Sequence, residues 1–172
     1  MKQFILGGAR SGKSRLAEQL CTDLGNKVAY IATAEQALND AEMTARISQH
    51  QAQRPAHWQT LEVPTELGQT LATLHDYDAV MIDCLTLWLS NCLHLENWPQ
   101  QRQTFLTALE SFNGQLIIVS NEVGMGIVPL GELTRRFVDE SGFLHQAVAA
   151  RCERVIFTAA GLPLVLKGPS LD

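Results

Sequence analysis

Gly7-Gly8-Ala9-Arg10-Ser11-Gly12-Lys13-Ser14 is the stretch that decides the fold. It follows Phe4-Ile5-Leu6, a short aliphatic run, and precedes a helical pattern that stops at Gly25-Asn26. Strand, glycine-rich turn and helix in that order make a phosphate loop of the form G-x-x-x-x-G-K-S. The glycines let the backbone curl until successive N–H groups point inward at phosphate oxygens, and the helix N-terminus adds partial positive charge. Lys13 is placed to reach the β- and γ-phosphates of a nucleotide, and the Ser14 hydroxyl to ligate Mg²⁺. Residues Gly7 to Ser14 are therefore the first candidate nucleotide site, with Lys13 as its catalytic cation.

Working outward, short aliphatic runs recur at Val28–Ala32, Val80–Ile82, Leu116–Val119 and Val155–Phe157. They barely alternate, as expected of strands buried on both faces of a parallel sheet. Trp58–Val63 and Leu164–Leu166 are weaker candidates, the latter as an edge hairpin after Gly161-Leu162-Pro163. Between the runs lie helical stretches with legible ends. One starts at Asn39 or Asp40 and stops before Pro55; one follows Asp83 through Leu93; one opens at Pro99 and closes at Asn113-Gly114. The last spans about Glu132 to Cys152, with an interruption expected at Gly142. Alternating β and α elements predict a three-layer α/β fold, a mostly parallel sheet with helices on both faces.

Composition narrows the function classes. The 172 residues read as a single domain, 1–172. They are 46% hydrophobic and 18% charged, which excludes a disordered chain. The formal net charge of −5 argues against a nucleic-acid or anionic-membrane binder. Cys21, Cys84, Cys92 and Cys152 are scattered, without C-x-x-C spacing, and read as reduced core residues and not as a zinc site. The opening residues break into glycine too early for a signal peptide, and no apolar run reaches membrane-spanning length. A cytoplasmic location is expected.

Two carboxylates close predicted strands. Asp83 ends Asp78-Ala79-Val80-Met81-Ile82-Asp83, where it would hold the water shell of Mg²⁺ or simply cap the next helix. Glu122 follows Leu116–Asn121 and is either catalytic or an anchor for the Gly124–Gly126 turn. No N-K-x-D guanine code is present, since Asn26-Lys27 continues into Val-Ala without the Asp and enters a strand instead of leaving one, so a switch GTPase is disfavoured.

His50 is the histidine with the most telling neighbours. Met43, Ile47 and His50 share one face of the expected helix, and Arg46 and Arg54 bracket the imidazole by one turn on each side. Two guanidiniums suit a phosphate brought to the ring and hold more of the imidazole neutral and nucleophilic. The plain alternative is a surface histidine on a helix whose Arg46 pairs with Glu42. His57 reads as a loop or strand-edge residue, and His75, His94 and His145 have no chemical company in the sequence. Leu85-Thr86-Leu87-Trp88-Leu89 reads most simply as a core helix, the alternative being that its exposed edge helps line a large apolar substrate site.

Five segments together carry a resemblance: GGARSGKS from Gly7, YIATA from Tyr30, EMTARISQHQAQRPAHW from Glu42, DCLTLWLSN from Asp83 and NEVGMGIVP from Asn121. Along nearly the whole chain they resemble the adenosylcobinamide kinase / adenosylcobinamide-phosphate guanylyltransferase family of cobalamin biosynthesis, with no departure at motif level. The resemblance implies a RecA-like sheet and two reactions. ATP or GTP phosphorylates adenosylcobinamide; GMP then passes from GTP to adenosylcobinamide phosphate, through a histidine that matches His50. It further implies nucleotide contacts at Ala32, Thr33, Ala34, Gln51, Ala52, Gln53, Arg54, Glu62 and Asp83, with Mg²⁺ held by Ser14 and Asp83. A homo-oligomer, a trimer, is expected. The rival readings are a P-loop small-molecule kinase without the covalent guanylyl step and a non-catalytic nucleotide switch.

Overall fold

A computed structural model describes residues 1–34 and 55–171. The helix expected from Asp40, with His50 and its flanking arginines, lies outside the described residues. The described elements, in chain order, are β1 (Lys2–Gly7), α1 (Lys13–Leu24), β2 (Val28–Ala32), β3 (Gln59–Glu62), α2 (Leu67–Leu71), β4 (Ala79–Asp83), α3 (Leu85–His94), α4 (Trp98–Ser111), β5 (Leu116–Asn121), α5 (Glu132–Arg151), β6 (Arg154–Ala159) and β7 (Leu162–Lys167).

The seven strands form one sheet in the order β3-β2-β4-β5-β1-β6-β7. Every neighbouring pair is parallel except β6 and β7, which form the edge hairpin expected after Gly161. The strands that read as unalternated aliphatic runs occupy the centre, where both faces are covered. On one face, Ile5, Val28, Tyr30, Met81, Ile117, Val119 and Ile156 pack under Ala17 and Cys21 of α1. On the other, Phe4, Ile31, Val80, Ile82 and Ile118 pack under α2, α3, α4 and α5. Trp88 anchors that side, edge-on to Trp98 at 5.3 Å and to Phe105 at 5.1 Å between ring centroids. Leu85, Trp88 and Leu89 are fully buried, so the α3 stretch belongs to the core. All four cysteines are free and buried, and burial pushes the thiols of Cys21, Cys92 and Cys152 up to about 12.

Helix α3 follows Asp83 as expected, starting at Leu85, while Asp83 closes the ladder opposite Ala32 of β2 and Val119 of β5. One expectation is corrected, the interruption at Gly142. Helix α5 runs unbroken through Gly142, since Ser141, Leu144, His145 and Val148 keep a buried stripe along it. That packing overrides the propensity cost of one glycine, about 1 kcal/mol. The short α2 had no forecast; its Gly68 lets it sit against α4, where an added Cβ would come within 2.6 Å of the Phe105 nitrogen.

Candidate active site

The phosphate loop joins β1 to α1 along the C-terminal edge of the sheet. Its conformation needs the glycines that the motif supplies. Gly12 has φ of 96°, and Arg10 also takes a left-handed φ of 55°. A Cβ on Gly7 would stand 2.4 Å from the Ser11 Oγ and 2.5 Å from the Thr158 carbonyl oxygen. The N-cap of α1 is Gly12, with no side-chain cap bond, which leaves its first N–H groups available to an anion. Lys13 is buried and its Nζ donates to the Gly8 carbonyl at 2.8 Å. Burial lowers the Lys13 pKa, while Cys84 and Asp83 pull it up. A cation held on a backbone oxygen in this way can exchange that oxygen for a phosphate oxygen at little cost in position.

Sequence reading did not anticipate what backs this loop. Thr158, near the end of β6, donates to the Leu6 carbonyl at 3.0 Å and shares a buried hydroxyl–hydroxyl bond of 3.0 Å with Ser11. In the turn before β7, the Gly161 N–H donates to the Ser11 carbonyl at 2.9 Å. Only strand order brings these groups together, 147 residues apart in the chain.

The other candidate residues lie along the same edge. Ladder partners Gly7 and Asn121 join β1 to β5, Asp83 faces Val119, and Ala32 pairs with both Asp83 and Glu62. At about 4.8 Å per strand, Asp83 stands two strands from the loop, roughly 10 Å, and Glu62 four strands away, roughly 19 Å. Asp83 accepts from the Tyr30 hydroxyl at 3.0 Å. It does not cap α3, whose N-cap is Cys84 with no side-chain cap bond. Thr33 is fully buried: its Oγ1 donates to the Cys84 carbonyl at 2.7 Å and accepts from the Cys84 N–H at 2.9 Å, tying the end of β2 to the start of α3. Asn91 of α3 donates to the Thr33 and Pro64 carbonyls at 2.9 and 3.0 Å. Ala32, Thr33 and Ala34 thus form a fixed shelf beside Asp83, whereas Glu62 is exposed at the edge strand. His50, Gln51, Ala52, Gln53 and Arg54 lie outside the described residues.

Glu122 and His145 form a second constellation. The Glu122 N–H donates to the Gly7 carbonyl at 3.0 Å, fixing its backbone to the phosphate loop. Its Oε1 accepts from the Gly124 N–H, which is the turn anchor the sequence offered as one of two roles. The other oxygen, Oε2, lies 3.9 Å from Nδ1 of His145. His145, which had no company in the sequence, is buried in α5 with Nε2 at 2.8 Å from Ser120 Oγ and 3.4 Å from Ser141 Oγ. Its ring stands 5.5 Å from that of Phe4. Burial lowers its pKa, and Glu122 only partly opposes that.

Ser14 and Asp83 offer hard oxygen donors, a hydroxyl and a carboxylate, and no nitrogen or sulfur. That donor set fits Mg²⁺, which takes one or two protein oxygens and completes its shell with water and phosphate.

Comparison with known proteins places this geometry. The model of the family described as cobinamide kinase / cobinamide phosphate guanyltransferase matches residues 3–166. The bifunctional adenosylcobalamin biosynthesis protein CobP of Pseudomonas aeruginosa is 54% identical, over 99% of this chain and 100% of that protein. Its counterpart CobU of Salmonella typhimurium is 38% identical, over 97% of this chain and its own full length. Among solved structures, a KaiC-like protein from Pyrococcus horikoshii superposes with a TM-score of 0.54 at 13% identity, covering 98% of this chain and 79% of that one. The fold is that of the RecA-like P-loop proteins, as the resemblance implied. The chain belongs to the cobinamide kinase / cobinamide phosphate guanyltransferase family and is a bifunctional kinase and guanyltransferase of cobalamin biosynthesis.

Proposed function

We propose that the chain phosphorylates adenosylcobinamide with ATP or GTP and then converts adenosylcobinamide phosphate to adenosylcobinamide-GDP, carrying GMP from GTP through His50. One observation supports the reading above others. The phosphate loop and the side chains proposed to handle nucleotide, Asp83, Ala32, Thr33, Ala34 and Glu62, share a single edge of one sheet. An edge of roughly 19 Å between β1 and β3 accommodates an extended nucleoside triphosphate.

In the first reaction, the loop N–H groups and Lys13 hold the transferring phosphate. Ser14 and Asp83 would hold Mg²⁺, which would supply positive charge to offset that of the phosphates. In the second, the neutral His50 imidazole attacks the α-phosphorus of GTP and the bond to the bridging oxygen breaks, so pyrophosphate leaves. An oxygen of the substrate phosphate then attacks the same phosphorus, the N–P bond breaks, and His50 is regenerated. Arg46 and Arg54, one turn to either side of His50 in the helical reading, keep the imidazole neutral and steady the phosphate. Gln51 through Arg54 complete the nucleotide contacts.

The working unit in this reading is a homo-oligomer, a trimer. Supporting it, Met125, Ile127, Val128, Leu130 and Leu133 are exposed after β5, as are Leu162, Leu164 and Leu166 on the edge strand β7. Such a run of apolar side chains is more than a monomer ordinarily leaves in water, and sedimentation equilibrium tests it directly.

The two-reaction mechanism is tested with His50→Asn. The variant keeps phosphorylation of adenosylcobinamide and loses formation of the GDP ester from adenosylcobinamide phosphate. Retention of guanylyl transfer would leave a P-loop kinase with a different route for the second step.

A further inference from the structure

We propose that Glu122 is the catalytic base of the kinase reaction, taking the proton of the corrinoid hydroxyl, and that His145 is the residue that positions it. The inference rests on the kinase reading above and adds the group that activates the acceptor.

Phosphoryl transfer to an alcohol needs somewhere for the hydroxyl proton to go, and a carboxylate beside the γ-phosphate is the usual acceptor. Among the described residues, three carboxylates stand at C-terminal strand ends. Glu62 is four strands from the phosphate loop and Asp83 two, whereas Glu122 follows β5, the immediate neighbour of β1, at about 4.8 Å between strands. Its backbone is bonded to Gly7 itself, at 3.0 Å. Asp83 is committed to Tyr30 on its Oδ2 and to the metal in the reading above.

Residue alternation puts Glu122 on the α5 face of the sheet, with Phe4, Ile118 and His145, opposite the face that α1 covers. Glu122 thus stands at the end of the strand beside the phosphate loop, on the face of the sheet that α1 leaves open to a second substrate. The Glu122 side chain is 21% exposed, enough to meet a substrate.

His145 fixes that carboxylate. Two hydroxyls, Ser120 and Ser141, face its Nε2 and can donate to it, and the carboxylate faces Nδ1. A neutral ring in this setting carries its proton on Nδ1, aimed at Glu122 Oε2. With the Gly124 N–H on Oε1 and the His145 ring 3.9 Å from Oε2, both oxygens are oriented. In the step itself, the hydroxyl oxygen bonds to the γ-phosphorus and the bond to the bridging oxygen breaks. The nucleoside diphosphate leaves, and the hydroxyl proton passes to Glu122, which later gives it to water.

Steady-state kinase kinetics on the full chain, with adenosylcobinamide and ATP–Mg²⁺, test both parts. Glu122→Gln lowers kcat by about 100-fold or more and leaves both KM values within about a factor of two. Glu122→Asp, which keeps the charge but withdraws it, recovers part of that loss. His145→Gln lowers kcat by about tenfold with KM unchanged, the pattern of a lost transition-state contact and not of weakened binding. An undiminished kcat in Glu122→Gln overturns the base, as does a loss confined to the nucleotide KM. Normal kcat in His145→Gln overturns the positioning role. Absence of phosphate ester with the wild-type chain would instead overturn the kinase reading on which the inference rests.

Discussion

Gly161 closes over Gly12: its N–H donates to the Ser11 carbonyl at 2.9 Å, and its Cα would stand 3.1 Å from a Cβ on Gly12. The β6–β7 hairpin is therefore a wall of the phosphate loop, and Thr158 is the side chain that joins the two. Thr158→Val removes the partner of the buried Ser11 hydroxyl at nearly constant shape. Leaving such a group unpaired costs about 1–3 kcal/mol. The expected outcome is a lower melting temperature together with GTP affinity reduced several-fold in calorimetric titration; an unchanged affinity would mean that the loop holds its shape without the hairpin.

Lys13→Ala should abolish phosphorylation and weaken GTP–Mg²⁺ binding by about 10–100-fold, the worth of a charge-assisted hydrogen bond of 1.5–3 kcal/mol. Lys13 is buried and its Nζ already donates within the loop. Undiminished affinity in isothermal titration would remove the loop from phosphate binding.

Asp83→Asn keeps size and keeps an acceptor for the Tyr30 hydroxyl, while removing the charge that the proposed Mg²⁺ site would use. Because α3 is not capped by Asp83, the fold should melt as before. Turnover at limiting Mg²⁺ should fall by about 10–100-fold. Unchanged Mg²⁺ dependence would shift the metal role to another carboxylate.

His145 yields a pH prediction. Its pKa is lowered from the ordinary 6.5 by burial, so below that value the unfolded chain binds more protons than the folded one. Stability is complete above pH 6.5 and falls as pH drops from there through the lower native value. Thermal melts between pH 7.5 and pH 5 should show a steeper acid-side decline in the wild type than in His145→Gln; parallel curves would contradict a buried neutral ring.

Local pattern carried most of the fold. The central strands showed as aliphatic runs because parallel strands are covered on both faces, and the G-K-S turn marked the first βα junction. Gly142 misled, because propensity speaks only for the isolated helix and the Leu144–His145–Val148 stripe decides its continuity. Within the site, Gly7 to Ser14 and Asp83 were legible as contiguous motif or strand end. Thr158, Gly161 and the His145–Glu122 contact were not, since each is created by strand order between segments that share no local signal.

Guanylylation of His50 is the central claim, and labelled GTP tests it most directly. The chain is incubated with Mg²⁺ and GTP labelled at the α- or the γ-phosphate, denatured, and mapped by peptide. The account predicts acid-labile, base-stable label from the α-position alone, located on His50 and absent from His50→Ala. Label from the γ-position, label mapping to His57, or α-label persisting in His50→Ala would contradict it.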